Sequence, residues 1–291
     1  MFNVIVLKNK SNTLLLTYNK KGLLLDTGYD REDTEKIIKF LNDNGVILDS
    51  VIISHFHRDH IQGIDLLNYT FPNVKFYASN ITKFVFENTW VEENLYDDCV
   101  NNCMKSGQTT SIKINMIEES FDFYGKKIKI FNANGHCYGN LIFMIDNYMF
   151  CPDIIVNSEE YLPYISDVES YLSDIDRLTI INNIDYVILT HKKEILNHGK
   201  FLEELARTKE KIMNKINDIL DLINDDISFD TLINEMIKNG LRTACFTKKM
   251  NEEQYGYTRF VTRNILRYLE INEKITIEYK DKKIYLNRRK Y

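Results

Sequence analysis

Six consecutive residues, His55-Phe56-His57-Arg58-Asp59-His60, constrain this chain more than any other stretch. They hold three of its six histidines and an aspartate, directly after an apolar run, Val51–Ser54, that reads as a strand. In extended backbone His55, His57 and Asp59 point the same way, because side chains alternate with period two. The start of a following helix would bring His60 round to join them. Such a cluster has little packing value. Imidazole and carboxylate together suit zinc, iron or manganese, so a two-metal site is chemically sensible.

Three more residues can complete the site. His136 lies in the glycine-flanked stretch Asn134–Gly139, Asp153 follows Cys151-Pro152, and His191 follows the run Tyr186–Thr190. Each stands just past a strand-like segment, where a rigid sheet can position a loop. His198 lies in a polar stretch and reads as an ordinary surface histidine. Strands are predicted at Val4–Leu7, Asn12–Thr17, Leu23–Leu25, Val74–Ala78, Lys127–Phe131 and Leu141–Ile145. Helices are predicted from about Thr34 to Gly45 and over Val168–Leu178. Strands joined both by turns and through helices point to an α+β layered fold. Residues 82–125, with Trp90 and Cys99-x3-Cys103, read as a helical insertion or lid.

The pattern His-x-His-x-Asp-His resembles the signature of the metallo-β-lactamase superfamily. Supporting elements stand in that family's order: Asp26-Thr27-Gly28, the cluster, Gly135-His136, Pro152-Asp153 and Thr190-His191. The resemblance covers roughly residues 1–200 and implies a four-layer αββα sandwich. It further implies that His55, His57 and His136 hold one metal, that Asp59, His60 and His191 hold a second, and that Asp153 bridges them. One departure is visible. Many members read Gly-His-Thr-x-Gly-His after the third histidine's strand, and here Asn140 replaces the last histidine. Residues 201–291 read as three helices (Phe201–Ile223, Phe229–Lys238, Arg259–Leu269) and a hairpin (Lys274–Tyr279, Lys283–Leu286), the order of a winged helix. A metallo-β-lactamase domain followed by such a module is similar to the lactamase-β-like 2 group, which includes an endoribonuclease selective for single strands.

With 291 residues, the chain is expected to form a catalytic domain over 1–200 and a smaller, mostly helical domain over 201–291. The net charge of −5 argues against a globally basic nucleic-acid binder. No run of eighteen apolar residues and no leader-like segment is seen, so a cytoplasmic protein without a membrane span is expected. An odd count of five cysteines argues against a disulfide framework.

The expected chemistry is hydrolysis by a hydroxide shared between two divalent ions, zinc foremost, with iron or manganese accepted by the same ligands. Asp59 and Asp153 would orient the hydroxide. The expected substrate is a small acyl compound: a thioester, lactone or ester. Tyr138, Asn140 and Tyr164 are candidate substrate contacts, and Trp90 with Phe84–Phe86 could line a pocket. The alternative is a metal-dependent endoribonuclease acting on single-stranded RNA. Residues 201–291 carry 18 basic and 15 acidic residues, and Arg259, Arg263 and Arg267 recur at four-residue spacing, so they could track phosphates on one helix face. A homodimer is compatible with this reading.

Overall fold

Unbroken apolar runs such as Leu14–Leu16 and Leu141–Ile145 call for strands buried on both faces. The computed structural model, which describes residues 2–88, 112–155, 161–243 and 252–289, shows them in two packed sheets. The first is a six-stranded sheet in sequence order: β1 (Phe2–Leu7), β2 (Thr13–Tyr18), β3 (Lys21–Leu25), β4 (Ile47–Ile52), β5 (Lys75–Ala78) and β6 (Ile114–Met116). It is antiparallel over β1–β3 and parallel from β3 to β6. The second contains β7 (Ser120–Phe123), β8 (Lys126–Asn132), β9 (Leu141–Ile145), β10 (Tyr148–Cys151) and β11 (Tyr186–Leu189), in spatial order β11-β10-β9-β8-β7.

Strand alternation sorts the side chains into layers. Leu14 and Leu16 of β2 meet Phe143 and Ile145 of β9 between the sheets, whereas Leu15 turns to the opposite face. There it packs with residues of α1 (Arg31–Asp43) and α3 (Ile64–Thr70). Ile142 and Met144 of β9 point outward, into one cluster with α5 (Val168–Thr179). Helix, sheet, sheet and helix therefore stack as the four-layer αββα sandwich, with central strands such as β2 and β9 covered on both faces.

Several boundaries differ from expectation. β4 starts at Ile47 and ends at Ile52, so Ile53 and Ser54 are already leaving the sheet. α1 begins at Arg31 because the Asp30 carboxylate caps it, accepting the Asp33 N–H at 3.0 Å. Within 82–125 the described part holds most of α4 (Asn80–Glu87) together with β6 and β7; Trp90, Cys99 and Cys103 lie outside the described residues.

The C-terminal elements are α6 (His198–Leu222), β12 (Ile227–Ser228), α7 (Phe229–Lys238), α8 (Glu252–Ile271), β13 (Ile275–Lys280) and β14 (Lys283–Arg288). The order of helices and hairpin matches the sequence pattern. In addition, β12 joins the hairpin as a third strand, beside β14. His198 opens α6, so position 200 falls inside this helix. The apolar core is continuous across it: Phe201, Leu205, Leu232 and Val261 belong to one buried cluster with Ile142, Val168 and Tyr171.

Removing residues 201–291 should therefore uncover apolar surface on the outer side of the second sheet. A 1–200 fragment is expected to aggregate or to bind a hydrophobic dye strongly. A soluble fragment with native near-ultraviolet circular dichroism would show that this shared core is dispensable.

Candidate metal centre

Several of the loops at one end of the sandwich converge on seven side chains. Among the described residues, donor atoms of His55, His57, His136 and Cys137 all lie within 4.8 Å of one another. Those of Asp59, His60, Asp153 and His191 form a second group of the same size. The seven residues that the sequence marked as metal ligands are thus all brought together. The extended path expected for 55–59 holds only as far as His57, whose φ of −64° and ψ of 145° are extended. Asp59 and His60 already belong to the short helix α2 (Arg58–Ile61).

The hydrogen bonds behind the histidines fix which nitrogen faces the centre. The Asp26 carboxylate accepts the Ser54 N–H at 2.7 Å and the Ser54 hydroxyl at 2.9 Å. It also lies 2.8 Å from His60 Nδ1. Ser54 Oγ, its proton committed to Asp26, is free to accept from His55 Nδ1 at 3.0 Å. His136 Nδ1 lies 3.2 Å from the Tyr164 carbonyl and can only donate to it. Protonated at Nδ1, these rings turn their Nε2 atoms inward. His57 presents Nδ1 instead, 3.0 Å from His55 Nε2 and 2.9 Å from His136 Nε2. With the Nε2 lone pairs of His55 and His136 and the His57 Nδ1 this close, the donor set fits one cation. Asp153 Oδ2 reaches 3.6 Å from His55 Nε2 and 3.2 Å from His60 Nε2, and so stands between the groups. The second cage closes with Asp59 Oδ2 at 3.4 Å from His60 and 3.1 Å from His191.

The electrostatics divide accordingly. Burial, then the neighbouring His136, holds His57 at about 3, and burial likewise lowers His55 and His136. Their lone pairs are therefore available to a metal at neutral pH. For Asp153 burial opposes ionisation, but His191 and His60 outweigh it and keep the carboxyl well below the usual range. Asp59 is held down in the same way, by His60 and then His191. Burial also opposes charge on His191, yet Asp153 and Asp59 raise it to about 10. A cation entering this group would displace protons from His60 and His191.

Local backbone features aim these side chains. Asp26 and Asp153 both adopt left-handed conformations, with φ of 63° and 55°, which aspartate tolerates better than most residues. The Thr190 hydroxyl donates to Asp153 Oδ1 at 2.5 Å. Asn140 is fully buried, and its amide donates 3.3 Å to the Pro152 carbonyl. It thus braces the Asp153 turn. Gly135 runs against α5 so closely that a Cβ there would lie 2.1 Å from the Tyr171 backbone. The buried Asp174 carboxylate accepts the Gly135 N–H at 2.8 Å. Ser54, Thr190 and Asp174 escaped the sequence reading as supports of the site. Asp174 left a signal, an acid on the otherwise apolar face of Val168, Tyr171, Ile175 and Leu178.

Cys137 is wholly buried beside Phe56, Val85 and Tyr257, and burial pushes its thiol well up, so it is a poor thiolate donor. Tyr164 packs edge-on against His57, with ring centroids 4.9 Å apart, and stacks on Phe260 of α8 at 5.1 Å. Tyr138 is half-exposed. Tyr164 and Tyr138 border a cavity of about 410 Å³ between α4, the start of α5 and α8.

The αββα sandwich with this donor cage at its rim places the chain in the metallo-β-lactamase superfamily. Solved structures agree in fold. A β-lactamase domain protein from Burkholderia ambifaria matches with a TM-score of 0.74 at 12% identity, covering 99% of this chain and 92% of that one. A metallo-β-lactamase family protein from Thermus thermophilus matches with a TM-score of 0.73 at 11% identity, covering 99% and 98%. The chain belongs to the family described as Anti-Pycsar protein Apyc1, whose model matches residues 3–177. Among curated relatives, the hydroxyacylglutathione hydrolase of Baumannia cicadellinicola is 26% identical over 149 residues, or 50% of this chain and 47% of that protein. The chain spans about half the length of the first curated relatives it matches.

Two substitutions probe the supports. Asp26→Ala strips the partners from Ser54 and His60 and should weaken metal affinity by roughly 10–100-fold, as loss of a ligand's hydrogen-bonding partner usually does. A competition titration against a chromophoric chelator reads this, and unchanged affinity would remove Asp26 from the site. Gly135→Ala should displace the His136 loop at a stability cost of about 1–3 kcal/mol. Thermal unfolding checks it.

Proposed function

We propose that this protein is a dinuclear metal-dependent hydrolase of a small acyl substrate: a thioester, lactone or ester. The observation that carries the reading is the pair of adjacent donor groups with Asp153 between them. In this reading His55 Nε2, His57 Nδ1 and His136 Nε2 hold one divalent ion, and Asp59, His60 and His191 hold the other. Zinc is preferred, and iron or manganese also suits these ligands. Two such ions supply Lewis acidity and a water acidified to near neutrality. The chain's own residues then orient and exclude. Asp59 and Asp153, kept ionised, accept hydrogen bonds from the attacking water and hold it in line with the substrate carbon. Thr190 fixes the Asp153 carboxylate. The water oxygen forms the new bond to the acyl carbon, the bond to sulfur or oxygen breaks, and the water's proton ends on the leaving group, carried by Asp59.

Curated relatives named hydroxyacylglutathione hydrolase favour an acyl thioester, since glutathione carries acyl groups on sulfur. The RNA reading draws less support from the C-terminal face. Arg263 and Arg267 are exposed, but Arg259 is engaged by Asp230 at 2.5 Å and lies over the Phe229 ring, and Arg267 borders the cavity, so the three do not form one uniformly exposed basic stripe. In this proposal residues 1–200 carry the chemistry, and residues 201–291, read as a winged-helix-like unit, shape its entrance.

Zinc- and manganese-loaded protein, with and without chelator, should be offered an acyl thioester, a lactone, a simple phosphodiester and a labelled single-stranded RNA. Chelator-sensitive acyl cleavage is expected. Cleavage confined to the phosphodiester or the RNA would overturn the acyl assignment. His57→Ala and Asp59→Ala should each lose activity by more than about a hundredfold and lower the metal-to-protein ratio measured by atomic emission. Two fully active variants would sink the site assignment.

A further inference from the structure

The cavity beside the metal centre has walls that say what it can hold. Its inner wall is Phe56 and Tyr164, whose rings lie 5.2 and 4.9 Å from the His57 ring. Its outer wall is α8, through Phe260, Tyr268 and Ile271. Phe84, Tyr138 and Ile271 stand at its edge 51%, 48% and 61% exposed, three large apolar side chains held in water around one opening. Such a rim loses free energy while uncovered and regains it when an apolar group enters.

Among the described residues, the charged groups on the walls are one arginine, Arg267, against two acids, Asp167 and Glu169. The Asp167 carboxylate is already committed to capping α5, where it accepts the Ser170 N–H at 2.6 Å. Asn264 is likewise engaged, its amide donating 2.9 Å to the Ile165 carbonyl. A wall with an acidic balance repels a polyanion, whereas an uncharged planar body meets aromatic and aliphatic surface. The volume of about 410 Å³ falls within the ordinary range for organic ligands.

We propose that this cavity is the specificity pocket of the enzyme, taking a planar aromatic or branched apolar group on the acyl side of the substrate, with α8 as its selecting wall. The proposal rests on the acyl-hydrolase reading and deepens it. The C-terminal segment then contributes to substrate choice as well as to the core. Small acyl groups such as acetyl would leave the rim exposed and forgo its binding energy.

The test compares phenylacetyl and acetyl thioesters of one thiol on zinc-loaded full-length protein. The expected kcat/KM ratio is at least tenfold in favour of phenylacetyl. Ile271→Asp, at an exposed position, places a charge on the rim without disturbing the core, and should reduce that ratio several-fold with an unchanged unfolding temperature. Equal kcat/KM for the two thioesters in the wild type, or a ratio unmoved in Ile271→Asp, would overturn the pocket. A second readout does not depend on hydrolysis. Calorimetric titration with a neutral naphthyl alcohol should show saturable binding that Ile271→Asp weakens several-fold. If neither thioester is cleaved, the acyl reading fails, and this titration alone decides the pocket: binding insensitive to Ile271→Asp, or none, overturns it.

Discussion

Two carboxylates and five imidazoles packed against one another, all but His191 largely withdrawn from water, form the constraint on which this structure depends. Taken out of water without cations, such a set costs free energy, through inward-facing lone pairs on one side and compressed charges on the other. The fold meets that cost only in part. Asp26 and Ser54 bind the outer nitrogens of His60 and His55, the Tyr164 carbonyl binds that of His136, and Thr190 holds Asp153. All of this orients the donors, yet none of it satisfies their inward faces. Bound divalent cations would, and that would link metal binding to the stability of the site.

That constraint explains where the donors sit. A side chain aimed to within a fraction of an ångström needs a rigid base, and each ligand follows closely on a strand of the sandwich. Ser54 and His55 leave β4, Asp153 leaves β10, His191 leaves β11, and His136 lies on the loop from β8 to β9. Left-handed backbone at Asp26 and Asp153 turns the chain sharply enough to bring their carboxylates back over the sheet ends. Close approaches such as that of Gly135 to α5 then leave the loops little freedom to relax.

The C-terminal elements join the same framework. Their apolar residues complete the cluster that begins on the outer face of the second sheet. Through Phe260 and Tyr164 they reach the histidines by a stack of rings. A change in α8 can therefore be felt at the histidines through packing.

The set of donors that the fold brings together was legible in the sequence because its signal is local and chemical. Three histidines and an acid within six residues have few other uses, and His136, Asp153 and His191 each follow an apolar run that has to be a strand. Layering was legible too, since strands joined both by turns and through helices point to an α+β layered fold. The supports were not legible. Nothing local distinguishes Ser54 from a serine that ends a strand, or tells that the Asn140 amide meets the Pro152 carbonyl. Their partners, Asp26 and Pro152, are set by how strands stack, and a buried amide or hydroxyl takes whichever polar group the packing brings within reach. The arginine spacing on α8 is subject to the same rule. Periodicity places residues along one helix face, but only the neighbouring elements decide whether that face meets solvent, an ion pair or a cavity. The sequence by itself determined the donors and the sandwich that carries them, and the tertiary structure decided their tautomers, their bracing and the pocket beside them, because those depend on distances between segments far apart in the chain.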